Sequence, residues 1–205
     1  MRLKLYNNSL LVPLKCGTRY LDKIFCDESI SFDTRGFKEH LFISNVSDIV
    51  VRPPLEHLTS ALHTAILTFH NHPQTNNAVQ IDLTSIIDEF CLYNKKTDVQ
   101  NTHWRGDLYE TLYWLWRRNR NNINIIELKD LSLYLEKLNI KKLPKYDSKE
   151  YDFHNQKYWC SKDEIMHFVK TNYTDQWKNL MEQIKDADIY YNALINKELL
   201  EIKLM

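Results

Sequence analysis

The stretch Ser9-Leu-Leu-Val-Pro-Leu-Lys15-Cys-Gly17-Thr18-Arg19-Tyr20-Leu21 passes from an apolar run through a glycine into a helical pattern, and reads as strand, tight loop, helix. The chain has only three glycines in 205 residues, so one placed directly behind an apolar run marks a turn. A turn of this shape exposes backbone N–H groups and a helix N-terminus to an anion. Lys15 and Thr18 supply the charge and the hydroxyl that phosphate or sulfate oxygens need.

A second element of the same kind follows in Asp48-Ile-Val-Val-Arg52-Pro53-Pro54-Leu-Glu-His57-Leu-Thr-Ser60-Ala-Leu. Here a buried strand ends in arginine, and two prolines open a helix where a missing N–H costs no hydrogen bond. Arg52 offers a planar fork for a phosphate, and Ser60 adds a hydroxyl from the helix. Two anion sites on two strand-to-helix turns point to a ligand with two separate phosphates. A Walker-type loop is excluded as the first element, because lysine precedes the glycine and no upstream glycine exists.

These residues resemble the sulfotransferases that use 3′-phosphoadenosine 5′-phosphosulfate (PAPS). The first motif of that family is Pro-Lys-x-Gly-Thr-Thr, which binds the 5′-phosphosulfate; the second is Arg-x-Pro-x-x-Arg-x-x-Ser, which binds the 3′-phosphate. Lys15, Gly17 and Thr18 match the first, and Arg52, Pro54 and Ser60 match the second at the same internal spacing. Pro13 lies one residue farther from the lysine than usual, Arg19 replaces the second threonine, and His57 replaces the second arginine. Either motif alone also reads as a turn with a helix cap. It is their order and their separation of about 35 residues that carry the resemblance.

The resemblance implies that Lys15 stabilises the leaving phosphate while the N–H groups of Cys16, Gly17, Thr18 and Arg19, with Tyr20 beside them, hold the 5′ group. It also places a base between the two motifs, an interval that contains Glu28, Asp33, Glu39 and His40. His40 is the first choice, since an imidazole pKa of about 6.5 suits proton removal near neutrality; Asp33 is the rival. His57 either adds a pH-dependent contact or lies on the exposed helix face, and the latter is expected. The segment Asn101-Thr-His103-Trp104-Arg105-Gly106-Asp107 resembles the His-Trp element of the chondroitin and heparan O-sulfotransferase branch. His103, Trp104 and Arg105 would then contact an acceptor sugar or the adenosine; the alternative is packing before a helix. The acceptor implied is a carbohydrate hydroxyl, and no metal is needed.

Composition sets the outer bounds. At this length one domain over residues 1–205 is expected, with a core over about 9–138 and a helical C-terminal extension over about 139–205. The 27 basic and 27 acidic side chains cancel, so no nucleic-acid footprint is expected. No apolar run approaches the roughly 18–20 residues that cross a bilayer, and the four cysteines are scattered without a Cys-x-x-Cys pair. A cytoplasmic protein with reduced thiols and no membrane contact is the expectation.

The predicted fold class is α/β: a short parallel sheet flanked by helices in a P-loop-like arrangement, with a helix-rich C-terminal part. A hairpin about Asn7-Asn8, or its second run alone as the first core strand, a helix from Thr18, a strand near Ile30 to Asp33, helices over 54–69, 82–93 and 107–117, and a strand over 123–128 fill the first two thirds. Tyr109, Tyr113 and Trp116 share a helix face and read as core. Ser161-Lys-Asp-Glu164 has capping-box spacing. Residues 139–159 read as a long connection or substrate loop. Two other functions stay open: a nucleotide kinase-like phosphotransferase using magnesium and ATP, and a nucleotide-binding module without turnover, which the changes at positions 19 and 57 allow.

Overall fold

The computed structural model describes residues 2–5, 8–13, 16, 21, 46–70, 83–91, 104, 106–138 and 161–201. Lys15, Gly17, Thr18, Arg19, Tyr20, Asp33, His40, His103, Arg105 and the connection 139–159 lie outside them. So do the helix expected from Thr18, beyond Leu21, and the strand expected near residue 30.

Among the described residues, four strands form one sheet in the order β1 (Arg2–Leu5), β2 (Asn8–Leu11), β3 (Asp48–Val51) and β4 (Asn124–Glu127). The first two form an antiparallel hairpin, one of the two readings the sequence allows, with Arg2 opposite Leu11 and Leu5 opposite Asn8. β2, β3 and β4 are mutually parallel, pairing Leu10 with Asp48, Leu11 with Ile49 and, on the far side, Asp48 with Asn124 through Val51 with Glu127. The fold is therefore α/β with a short three-stranded parallel sheet and a majority of helix.

Strand alternation divides the core in two. Leu11, Ile49 and Val51 face one layer, built from α1 (Pro54–His70), α2 (Leu83–Cys91), α3 (Leu108–Arg118), α5 (Lys162–Asn172) and α6 (Thr174–Asn196). Leu10, Val12, Val50 and Ile126 face the other, with Cys16, Leu21 and the short α4 (Leu131–Lys137). Every residue of β3 is buried, as a strand covered on both faces requires. At its start, the buried Asp48 carboxylate accepts from Ser47 Oγ at 2.5 Å and Asn124 Nδ2 at 3.2 Å. That meets the need of a buried charge for partners.

Helix ends follow local chemistry. Pro54 begins α1, and the N–H of His57 donates to the Pro53 carbonyl at 3.0 Å. The capping box before α5 is complete: Glu164 N donates to Ser161 Oγ at 3.2 Å, and Ser161 N to Glu164 Oε2 at 2.6 Å. Asp107 precedes α3 but makes no side-chain cap. α6 ends with Lys197 at φ 56°, and Glu198 N returns to the Ala193 carbonyl at 2.9 Å, a left-handed cap without glycine. α6 packs most extensively on α3 and also touches α1, α2, α5 and β4. Leu180, Ile184, Ala187 and Leu194 join the same cluster as Ile49 and Val51, so the end of the chain helps to build the sheet's main core. Among the described residues, no helix is long and apolar enough to cross a membrane.

Candidate anion-binding site

Parallel pairing of β2 with β3 sends two chain segments out of adjacent strands at the same sheet edge. In open α/β sheets this carboxyl edge is where ligands bind. After β2 the chain turns at Pro13 to Cys16, where Cys16 N donates to the Pro13 carbonyl at 3.0 Å. That N–H was expected to cradle a 5′ group and is instead spent inside the turn. The Cys16 side chain is buried, and burial pushes its thiol up to about 12, against a smaller downward pull from Arg52.

Arg52 immediately follows β3. Its Nε lies 3.3 Å from Glu56 Oε2, one helical turn on, and its side chain is 15 % exposed. Ser60 stands one further turn along α1, half-buried on the same side. A second cation arrives from a distant segment. Lys162, the first residue of α5, is half-buried, and burial followed by the nearby Arg52 charge lowers its pKa, while Glu56 works in the opposite direction. α5 packs directly on α1, so Arg52, Glu56 and Lys162 form one charged group beside the end of β3.

Beneath it lies a buried aromatic array. Tyr109 on α3 donates its hydroxyl to the Arg52 carbonyl at 2.6 Å. His57 Nδ1 lies 3.1 Å from the same hydroxyl oxygen. The His57 ring meets Trp104 edge-on at 5.5 Å and Tyr109 at 6.0 Å, and Tyr109 meets Tyr191 at 6.0 Å. Burial first, then Cys16 and Tyr191, raise the Tyr109 pKa well above the usual phenol range, so it remains a donor. Trp104 Nε1 donates to Gln183 Oε1 at 3.1 Å. Gln183 Nε2 in turn donates to the Cys91 carbonyl at 3.1 Å and to Asn179 Oδ1 at 2.8 Å.

At the end of β4, Glu127 accepts from Tyr191 at 3.0 Å and pairs with Lys129 at 3.0 Å. A cavity of about 450 Å³ runs along the outer edge of β4, lined in part by Glu127, Asp130, Tyr134 and Lys137. It includes neither Arg52 nor Ser60, and its two carboxylates make it a poor seat for a dianion.

Of the residues singled out in the sequence, the structure brings together Cys16 and Arg52, with Ser60 on the adjoining helix. Trp104 is buried at 3 % exposure, packed on His57 and bonded to Gln183. His57 is a correction: expected on the exposed face of α1, it is 1 % exposed. The apolar stripe of α1 runs through Leu58, Ala61, Leu62 and Ala65, and position 57 falls on it one turn before Ala61. Helical period alone would have placed it inside. Tyr109 reads in the sequence only as core, and Lys162 only as part of a cap; neither carries a sequence signal toward Arg52. Arg117 lies 5.0 Å over the Trp114 ring. With Arg118 and Arg120 it stands at the opposite sheet edge, where α3 leads into the start of β4. Among the described residues no group of three or more His, Cys, Asp or Glu side chains gathers as a metal site.

No protein-family model matches this sequence, and neither the curated proteins nor the solved structures contain a match.

Proposed function

We propose that the chain is a PAPS-dependent sulfotransferase of P-loop-like fold, acting on an acceptor hydroxyl, with a carbohydrate as the favoured acceptor. The observation that carries this reading is the register of β2 against β3. The two turns bearing Lys15-Cys16-Gly17-Thr18 and Arg52 to Ser60 leave from neighbouring parallel strands about 4.8 Å apart. A nucleotide with phosphates at both 3′ and 5′ positions needs two such sites side by side.

In this reading Arg52 and Ser60 bind the 3′-phosphate, and Lys162 adds a second positive charge. Lys15, Gly17, Thr18 and Arg19 hold the phosphosulfate. In the transfer, the bond from sulfur to the phosphate oxygen breaks and a bond from sulfur to the acceptor oxygen forms. The acceptor proton passes to His40 or Asp33, and the bisphosphate leaves with its new negative charge beside Lys15. Charge is spread over oxygens throughout, so positioning and charge stabilisation supply the catalysis.

The test is calorimetric titration with 3′-phosphoadenosine 5′-phosphate against ADP and against ATP with magnesium, on wild type and Arg52→Ala. Selective binding of the bisphosphate, lost in Arg52→Ala, is expected, followed by turnover in an acceptor screen. Preference for ATP with magnesium would support the phosphotransferase reading instead. Bisphosphate binding with no transfer to any acceptor would leave a nucleotide-binding module.

A further inference from the structure

Tyr109 is not on either turn, yet it touches the root of the second. Strand pairing ends at Val51 opposite Glu127, and the two residues that follow Arg52, Pro53 and Pro54, have no N–H to offer. The carbonyl of Arg52 is instead met by the Tyr109 hydroxyl, from 57 residues along the chain, at 2.6 Å. That hydroxyl has one proton, and a carbonyl only accepts. The proton therefore belongs to the Arg52 bond, and the 3.1 Å contact with His57 must be Nδ1–H donating to the phenol oxygen. The result is a directed chain from His57 through Tyr109 to the Arg52 backbone. Trp104 and Tyr191 pack against its rings, at 5.5 Å from His57 and 6.0 Å from Tyr109, and Tyr109 itself is 1 % exposed. Cys16, in the first turn, is buried, and that turn leaves β2, the strand paired directly with β3.

We infer that Tyr109, oriented by His57, is a positioning residue that fixes the Arg52 backbone relative to the first turn and so selects ligands with two phosphates over ligands with one. This rests on the bisphosphate reading above. A displaced Arg52 backbone swings the guanidinium, and the distance between the two anion sites no longer fits a fixed 3′,5′ pair. A ligand that uses the 5′ site alone does not sense that distance.

The experiment is calorimetric titration of the full chain with 3′-phosphoadenosine 5′-phosphate and with AMP. Four proteins are compared: wild type, Tyr109→Phe, His57→Leu and His57→Asn. The asparagine Nδ2–H can donate from near the imidazole Nδ1 position, so it is the conservative rescue. The expected result is bisphosphate binding weakened about tenfold in Tyr109→Phe and His57→Leu with AMP affinity unchanged, and selectivity restored in His57→Asn. Equal losses for both nucleotides would make the array merely structural and overturn the inference. Unchanged bisphosphate affinity in Tyr109→Phe would overturn it too, while leaving the bisphosphate reading standing. A wild type with no preference for the bisphosphate ends both. If Tyr109→Phe does not fold, the His57→Leu and His57→Asn pair decides by the same ratio.

Discussion

The hydroxyl of Tyr109 and the main-chain carbonyl of Arg52, 2.6 Å apart, join the first turn of α3 to the end of the central parallel strand. This bond decides the protonation of a third residue. Since the phenol proton is committed to Arg52, His57 must carry hydrogen on Nδ1 whether its ring is neutral or cationic.

Nitrogen-15 NMR of the histidine rings checks this directly. A neutral His57 should show a protonated Nδ1 and a bare Nε2, the less common tautomer in free imidazole side chains. An Nε2–H tautomer would reverse the direction of the chain and remove the argument for Tyr109 as a relay.

Gln183 ties three elements with three hydrogen bonds, to Trp104, Cys91 and Asn179, at only 5 % exposure. Gln183→Leu keeps most of the volume but strands the indole N–H and the Cys91 carbonyl. Each buried group left unpaired costs about 1–3 kcal/mol. Urea unfolding should show a loss of roughly 2–4 kcal/mol with an unchanged m-value. A loss below about 0.5 kcal/mol would mean that water replaces the amide without penalty.

The contrast between Gln183 and β3 shows what the sequence could reveal. Asp48-Ile-Val-Val is an uninterrupted buried strand closed by two prolines, so its ends are set by neighbours in the chain. The Ser161-to-Glu164 box is equally local. The hairpin of β1 and β2 and the helices at 54–70, 83–91 and 108–118 are legible for the same reason. Gln183 looks like one more polar residue of an amphipathic helix, because its partners lie 79 and 92 residues away. Tyr109 reads as core, and core it is, but its hydroxyl partner depends on the packing of α3 under β3. His57 follows helical period rather than polarity. Position along the apolar stripe is fixed by geometry, whereas a polar group can be buried wherever a partner is supplied.

The buried thiol of Cys16 ties stability to alkaline pH. In the unfolded chain it ionises near its usual value of 9, whereas burial holds it up at about 12 in the fold. Below that window the thiol is protonated in both states and contributes no pH dependence. Inside the window the folded state retains a proton that the unfolded state has lost. Stability therefore falls as pH rises, by up to about 1.4 kcal/mol per pH unit for this one group. Cys16→Ala should show a shallower decline across the same window when unfolding free energies are compared at matched pH. Parallel declines in the two proteins would show that the thiol ionises freely in the fold.

Glu56 holds Arg52 Nε at 3.3 Å and is itself well exposed, so it competes for the cation on which a bound 3′-phosphate would depend. A phosphate approaching Arg52 meets that carboxylate's negative charge and must displace or outweigh it. Exposed pairs of this kind are worth about 0.2–1 kcal/mol, which sets the scale of the competition. Glu56→Gln should therefore tighten the bisphosphate by about 1.4- to 5-fold, with the gain shrinking as salt is added. Lys162→Met should act the opposite way by removing a cation that neighbours the same carboxylate. The lowered pKa of Lys162 adds a pH signature: as pH rises, its charge is lost earlier than that of an ordinary lysine, and wild-type affinity should fall there. Lys162→Met should abolish that early fall. If Glu56→Gln instead weakens binding, the Arg52–Glu56 pair is the geometry that a phosphate requires, and Glu56 orients the guanidinium for it.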